Sequence, residues 1–350
     1  MMMKLHCISE HEYNELIFSL VFRNNQLNCT LSVSPLGRPT IGYGFNLQDD
    51  RTLLPVLQSL EFDVYSQELQ SDASQAELYY IDLIRGVFHD ANSSRDAEAL
   101  NNAVQSILAA RLTDKRYPNW HHHKHHSQLQ FDDMKAVRRC VKTVARNYEK
   151  TVDRWLMAFD MDIAKQNPQL FARKSRERAV LFSLAYQGVI GLKPNKTPLF
   201  PALGNAFLLD NRALVWYYIR YCAFLQDDKP LETVMQRYYE SELFGLYDAD
   251  VCGGEIATAH CREVFSMYYE YKQHILDHER RYGAMIDEAN ALFALAGNNA
   301  IQTLEQSFSI AHNHMNNTRT VRPQPRQEPP ISVDPICTSP DSRLSITQYG

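Results

Sequence analysis

Leu36-Gly37-Arg38-Pro39-Thr40-Ile41-Gly42-Tyr43-Gly44-Phe45-Asn46-Leu47 is the stretch on which the fold turns. Just before it, Cys29, Leu31 and Val33 alternate with Asn28, Thr30, Ser32 and Ser34, which is the two-residue period of a strand. Ser34-Pro35-Leu36-Gly37 has type I turn chemistry, with Ser first, Pro second and Gly fourth. Arg38–Gly44 is then the returning strand of a hairpin. Gly42 and Gly44 predict tight bends or close approach of another group to the backbone. Upstream, Ser9 and Glu12 form a capping box. Tyr13, Leu16, Ile17, Leu20 and Val21 recur at helical spacing, so a helix runs to about Asn24.

Downstream the periodicity is helical. Ser74 with Glu77 opens a helix to about Phe88, and Leu100, Val104, Ile107, Leu108 and Leu112 mark another. A polar loop follows with Trp120 and the His121–His126 cluster. Met134, Val137, Val141, Val144, Tyr148, Val152, Trp155 and Phe159 predict one long helix over Phe131–Phe159. Ser175–Tyr186, Asn211–Phe224, Ile256–Arg281 and Ala284–Ala311 complete the helical set. The tail from Asn317 holds six of the fifteen prolines and one aromatic residue, Tyr349. It is expected to be disordered, because it buries too little to offset its ordering entropy.

The expected class is α+β, mostly α-helical. One small β-hairpin is joined by a long helical insertion and extra C-terminal helices. Five segments follow: 1–48 (helix and hairpin), 49–174 (insertion with the His-rich loop), 175–250 (helical lobe), 251–316 (helical pair) and the tail.

The chain has 350 residues, 36 basic and 41 acidic side chains and a formal charge of −5. Apolar residues at 45% exclude disorder throughout. The mild acidity argues against a general nucleic-acid binder. The longest apolar run, Leu16–Phe22, falls far short of the ~20 residues of a membrane span. Met1–Glu10 has no h-region, so no secretory signal is expected. Seven cysteines without a CxxC pair fit reduced thiols. A cytoplasmic location, or export without a cleaved signal, follows.

A second patch adds to the hairpin. Ala179-Val180-Leu181-Phe182-Ser183-Leu184-Ala185-Tyr186-Gln187-Gly188 is an apolar helix ending in an aromatic–amide–Gly pattern. Thr197-Pro198-Leu199-Phe200, Leu203-Gly204-Asn205 and Leu208–Arg220 follow it. Together these stretches resemble phage-type lysozymes, over about Ser9–Asp49 and Ser175–Ala223. The resemblance implies a lysozyme-like fold that engages the β-1,4 glycan of peptidoglycan in a cleft between a hairpin lobe and a helical lobe. It implies no cofactor or metal. It places sugar contacts at Tyr43, Asn46, Gln187 and Thr197.

Glycoside hydrolysis needs a carboxylic acid to protonate the leaving oxygen and a carboxylate to stabilise or attack the oxocarbenium-like centre. The resemblance puts the acid at Asn25, the Asp at Ser34 and a Thr at Thr40. Only Thr40 keeps the family's residue. An amide is no general acid, and a hydroxyl does not stabilise positive charge as a carboxylate does. Glu15 is the candidate for a relocated acid. At ~100° per residue it falls opposite the Tyr13/Ile17/Leu20 stripe, which predicts a solvated face. Asp49 and Asp50 lie just past the strand, where helix capping is the expected use.

Three functions compete. One is a binding module for peptidoglycan or another polysaccharide, its catalysis weakened or lost. Another is an active glycosidase with Glu15 and Thr40 in the catalytic roles. The third is an interaction protein, such as a bacterial effector, reaching a protein partner through the tail or insertion. The pairs His121/His125 and His122/His126 have i,i+4 metal-ligand spacing, but no carboxylate or Cys lies in the run, and a solvated loop is expected. Cys140 and Cys222 sit in apolar helical patterns as core thiols. Trp216, Tyr217, Tyr218 and Tyr221 are core at helical spacing, with one ring available to line a sugar cleft.

Overall fold

The computed structural model describes residues 3–22, 27–34, 37–62, 64, 72–89, 96–116, 128–159, 174–224, 231–247, 255–295 and 302–317. Asn25, the His121–His126 run, the Cys252-Gly253-Gly254 stretch and the tail beyond Asn317 lie outside them. The chain divides into two compact units. One holds the described residues of 3–17 and 151–317. The other holds those of 18–150.

The second unit contains the sheet. Strands β1 (Asn28–Val33), β2 (Pro39–Gly42) and β3 (Phe45–Asn46) form an antiparallel meander in the order β1-β2-β3. The returning segment is thus two strands, not one: the hairpin expected from the sequence becomes a three-stranded sheet. The cause is the chain reversal at Tyr43-Gly44. Gly42 (φ +67°) and Gly44 (φ +77°) both occupy the left-handed region, where a side chain is strained. A Cβ on Gly42 would also come within 2.8 Å of the Phe45 ring. At the other turn, the Gly37 N–H donates to the Ser34 carbonyl (2.8 Å) and the Ser34 N–H to the Arg38 carbonyl (2.8 Å).

Ser32 pairs with Thr40, Thr40 with Asn46, and Ile41 with Phe45. Ile41, Phe45 and Leu47 are buried. In the same unit are α2 (Asp50–Ser59), α3 (Asp72–His89) and α4 (Ala97–Thr113), with most of α5 (Met134–Met157), within which the division falls. Leu53, Val56, Leu57, Ile84, Phe88, Val104 and Val144 form its core.

The first unit begins with α1 (Glu10–Ile17). Its capping box is present: the Glu12 N–H donates to the Ser9 hydroxyl (3.2 Å), and the Ser9 N–H donates to the Glu12 carboxylate (2.9 Å). The helix widens into a π-type turn over Phe18–Phe22. Helix α6 (Arg176–Tyr186) is capped by Ser175 and is buried on every side from Glu177 to Ala185, as a central helix must be. It ends in a Schellman motif: the Val189 N–H donates to the Leu184 carbonyl (2.9 Å) and the Gly188 N–H to that of Ala185 (3.0 Å). Gly188 supplies the left-handed residue (φ +78°).

Helices α7 (Pro201–Leu208), α8 (Arg212–Tyr217, extended by a π-type turn to Cys222), α9 (Leu231–Phe244), α10 (Glu255–Leu295) and α11 (Leu304–Asn317) follow. The expected helix boundary between Arg281 and Ala284 is corrected: α10 runs through Gly283, bending at Tyr271 instead (φ −104°, ψ 15°). A lone glycine lowers helix propensity by only ~1 kcal/mol, and Ile275, Tyr282 and Ile286 are buried on both sides of it. Among the described residues, no helix is long and apolar enough to cross a membrane.

Candidate functional site

The sheet carries the residues on which the sequence argument rested. The Thr40 and Ser32 hydroxyls lie 3.1 Å apart across the β1–β2 ladder. The Ser34 hydroxyl accepts from the Arg38 N–H (3.2 Å). The Asn46 side-chain oxygen accepts from the Gln48 N–H (3.1 Å). Tyr43 is half-buried, with the Phe18 ring edge-on at 5.4 Å. Ser32, Ser34, Thr40, Tyr43 and Asn46 are therefore gathered on or beside one small sheet, where Ser32, Ser34, Thr40 and Asn46 have hydrogen-bond partners of the protein's own.

The carboxylates that follow the sheet are committed. Asp49 is the N-cap of α2, accepting from the Arg51 N–H (2.9 Å). It also takes the Arg51 guanidinium (2.7 Å) and the Tyr148 hydroxyl (2.9 Å). Burial would raise its pKa, but the Arg51 and Tyr148 hydrogen bonds and the Arg51 charge outweigh burial and hold it below the usual carboxylate value. Asp50 pairs with Arg85 (3.0 Å).

In the other unit, Glu15 is exposed on α1. Thr197 is exposed too, its hydroxyl donating to Asn195 (2.6 Å). Gln187 caps α6 and enters a buried network. Its amide donates to the Ser183 hydroxyl (3.2 Å) and to Glu240 (3.2 Å), and its carbonyl accepts from Arg237. Glu240, fully buried, also binds the Ser183 hydroxyl (2.6 Å), Gln236 (3.1 Å) and Arg237. The sequence reading missed Glu240. The Arg237/Glu240 spacing of three on one helix was its signal.

Two further buried ion networks belong to this unit. The Glu177 carboxylate accepts from the His6 ring (2.6 Å) and from Arg212 (2.7 Å). Arg212 also donates to the carbonyls of Lys4 (2.7 Å) and Phe244 (2.7 Å). Burial pushes the Glu177 carboxyl up, but His6 and the Arg212 charge outweigh it and hold its pKa at about 2. Arg220 pairs with Glu242 (2.7 Å) and approaches Glu279 (3.7 Å). Its guanidinium lies 4.0 Å over the Tyr238 ring and 5.0 Å over Trp216. Glu279 takes the hydroxyls of Tyr221 (2.8 Å) and Tyr238 (2.9 Å). Burial raises the Glu242 pKa despite Arg220.

Here the donors to Glu279 are the protein's own tyrosines, and the network ties α8, α9 and α10 together. Trp216, Tyr217, Tyr218 and Tyr221 are buried beside it, core as expected. Cys140 is a buried thiol, its pKa pushed up by burial, while Cys222 is half-buried. Among the described residues, no three His, Cys, Asp or Glu side chains cluster to hold a metal.

Comparison of the chain with protein-family models, with curated proteins and with solved structures returned no match.

Proposed function

We propose that this chain is a lysozyme-like protein that recognises peptidoglycan or a related glycan and has lost the acid–base chemistry that cuts it. One observation carries the reading. The sheet keeps Thr40, the left-handed glycines and the strand pairing, while its catalytic positions hold groups satisfied by the protein itself. The Ser34 hydroxyl is taken by the Arg38 backbone, Thr40 by Ser32, and the next carboxylates, Asp49 and Asp50, by arginines. Glycosidase chemistry needs a protonated carboxyl at the leaving group and a charge at the anomeric centre. A hydroxyl–hydroxyl pair supplies neither.

The rival reading, an active glycosidase with Glu15 as acid, gains no support from Glu15's exposed place on α1. A carboxyl raised towards neutral pH for acid catalysis is usually buried.

Purified peptidoglycan tests the proposal. The protein is expected to co-sediment with the insoluble polymer and to release no reducing sugar between pH 4 and 8. Thr40→Ala, which removes one member of the Ser32/Thr40 pair, is expected to leave that absence unchanged. Sugar release by the wild type that Glu15→Gln abolishes would overturn the proposal in favour of the enzyme. A protein that stays in the supernatant would remove glycan recognition.

A further inference from the structure

We propose that the exposed face of α5 from Lys135 to Lys150 is a docking surface for the phosphate backbone of a duplex nucleic acid. The proposal is independent of the glycan reading. Between Met134 and Lys150 the sequence holds six cations, Lys135, Arg138, Arg139, Lys142, Arg146 and Lys150, and one carboxylate, Glu149. That is a net +5 segment in a chain of net −5, so the remaining residues carry −10. The composition that argued against a nucleic-acid binder hid this separation of charge.

The six cations are all exposed. At ~100° per residue they fall within an arc of roughly 120° that also takes in one carboxylate, the half-buried Glu149, and the buried Val137, Cys140, Val144 and Tyr148 lie diametrically opposite. None of the six forms an ion pair among the described residues. Asp132 and Asp133 precede the helix, where Asp133 accepts from the Ala136 N–H (2.7 Å) as a cap. Stability does not require this array. Buried arginines elsewhere in the molecule are matched to carboxylates, whereas these cations repel one another along a single face.

The density of charge fits a polyanion. The fifteen steps from Lys135 to Lys150, at ~1.5 Å rise each, span about 22 Å, or one positive charge per ~4 Å. A strand of duplex DNA presents one phosphate per ~3.4 Å along its axis. Among the described residues, none of the large exposed apolar side chains falls between Lys135 and Lys150. A bilayer would therefore be held by charge alone, without the apolar insertion of an interfacial helix. The face also has no exposed aromatic ring on which single-stranded bases would stack. A densely charged duplex suits a cationic helix face that carries neither exposed rings nor an apolar strip.

The test uses the full chain and a 20-base-pair mixed-sequence DNA duplex, followed by fluorescence anisotropy at pH 8. That pH lies above the ordinary imidazole pKa of about 6.5. Six neutralised phosphates give a log–log salt slope near −5, so affinity is expected to fall about a thousandfold between 50 and 200 mM salt. The triple variant R138E/R139E/K142E is expected to weaken binding at least about a hundredfold and to flatten the slope to about −2 or less. Its circular dichroism and Tm are expected to match wild type. K193E/K196E, on an exposed loop of the other unit, is the control and is expected to bind as wild type.

Three results would overturn the proposal. They are no duplex binding at 50 mM salt, equal loss in both variants, or retention on phosphatidylserine-containing vesicles by a protein that does not bind the duplex.

Discussion

Arg212, Arg220 and Arg237 are almost completely buried in one unit, and Arg138, Arg139 and Arg146 stand in solvent on α5 in the other. Each of the buried three meets a carboxylate, at Glu177, Glu242 and Glu240 respectively. The exposed three meet none among the described residues. The same side chain is a structural tie in one setting and an unspent charge in the other. A buried guanidinium without its partner is costly, so its place is explained by folding. An exposed cationic row makes no such tie, and the docking proposal gives it a partner.

The comparison is broken most sharply at Glu177. Glu177→Gln leaves Arg212 buried without its anion and is expected to lower stability by about 3–5 kcal/mol in urea unfolding. R138A/R139A on α5 is expected to change it by less than about 0.5 kcal/mol. Equal losses would erase the distinction between the two sets.

The pH dependence sharpens it next. The Glu177 pKa of about 2 lies below its ordinary 4.5. Its contribution is therefore complete above pH ~4.5 and disappears as pH falls toward 2, an effect of about 3 kcal/mol. Glu242 has the opposite sign: its pKa is raised above 4.5, so the folded state binds that proton more readily. Its contribution is present at low pH and declines as pH rises above 4.5. Stability followed from pH 2 to 7 in wild type, Glu177→Gln and Glu242→Gln checks both signs. An acid limb unchanged in Glu177→Gln would contradict the assignment.

Two glycines give smaller effects of opposite direction. A Cβ at Gly204, on α7, would overlap the Phe159 ring. Gly204→Ala is expected to destabilise by about 1–3 kcal/mol. Nothing lies within 4 Å of a Cβ at Gly86 inside α3. Gly86→Ala is expected to stabilise by about 0.5–1 kcal/mol, seen as a rise in Tm.

What could be read from the sequence was what neighbours decide. The Ser9/Glu12 box, the Asp49 cap and the strand alternation before Val33 all involve residues within a few positions of one another. The glycine bends at Gly42 and Gly44 are equally local. Strand β3 escaped because two residues, Phe45 and Asn46, are too few to show a period. The boundary expected between Arg281 and Ala284 is absent, and residues buried on either side of Gly283 carry the helix through it. The ion networks were illegible for a different reason. His6 and Glu177 are 171 positions apart, and Arg212 and Lys4 are 208 apart. Nothing local named Glu279's partners, Tyr221 after α8 and Tyr238 on α9. At the candidate site, the residue types at Ser34 and Thr40 were legible. Their satisfaction by Arg38 and Ser32 required the sheet register.

The most direct test of the central claim, a glycan-recognising scaffold without its acid, is a paired assay on purified peptidoglycan: co-sedimentation and reducing-end release from the same tubes across pH 4 to 8. The account predicts protein in the pellet and no new reducing ends at any pH. Reducing ends that rise with time and vanish in Glu15→Gln would contradict it.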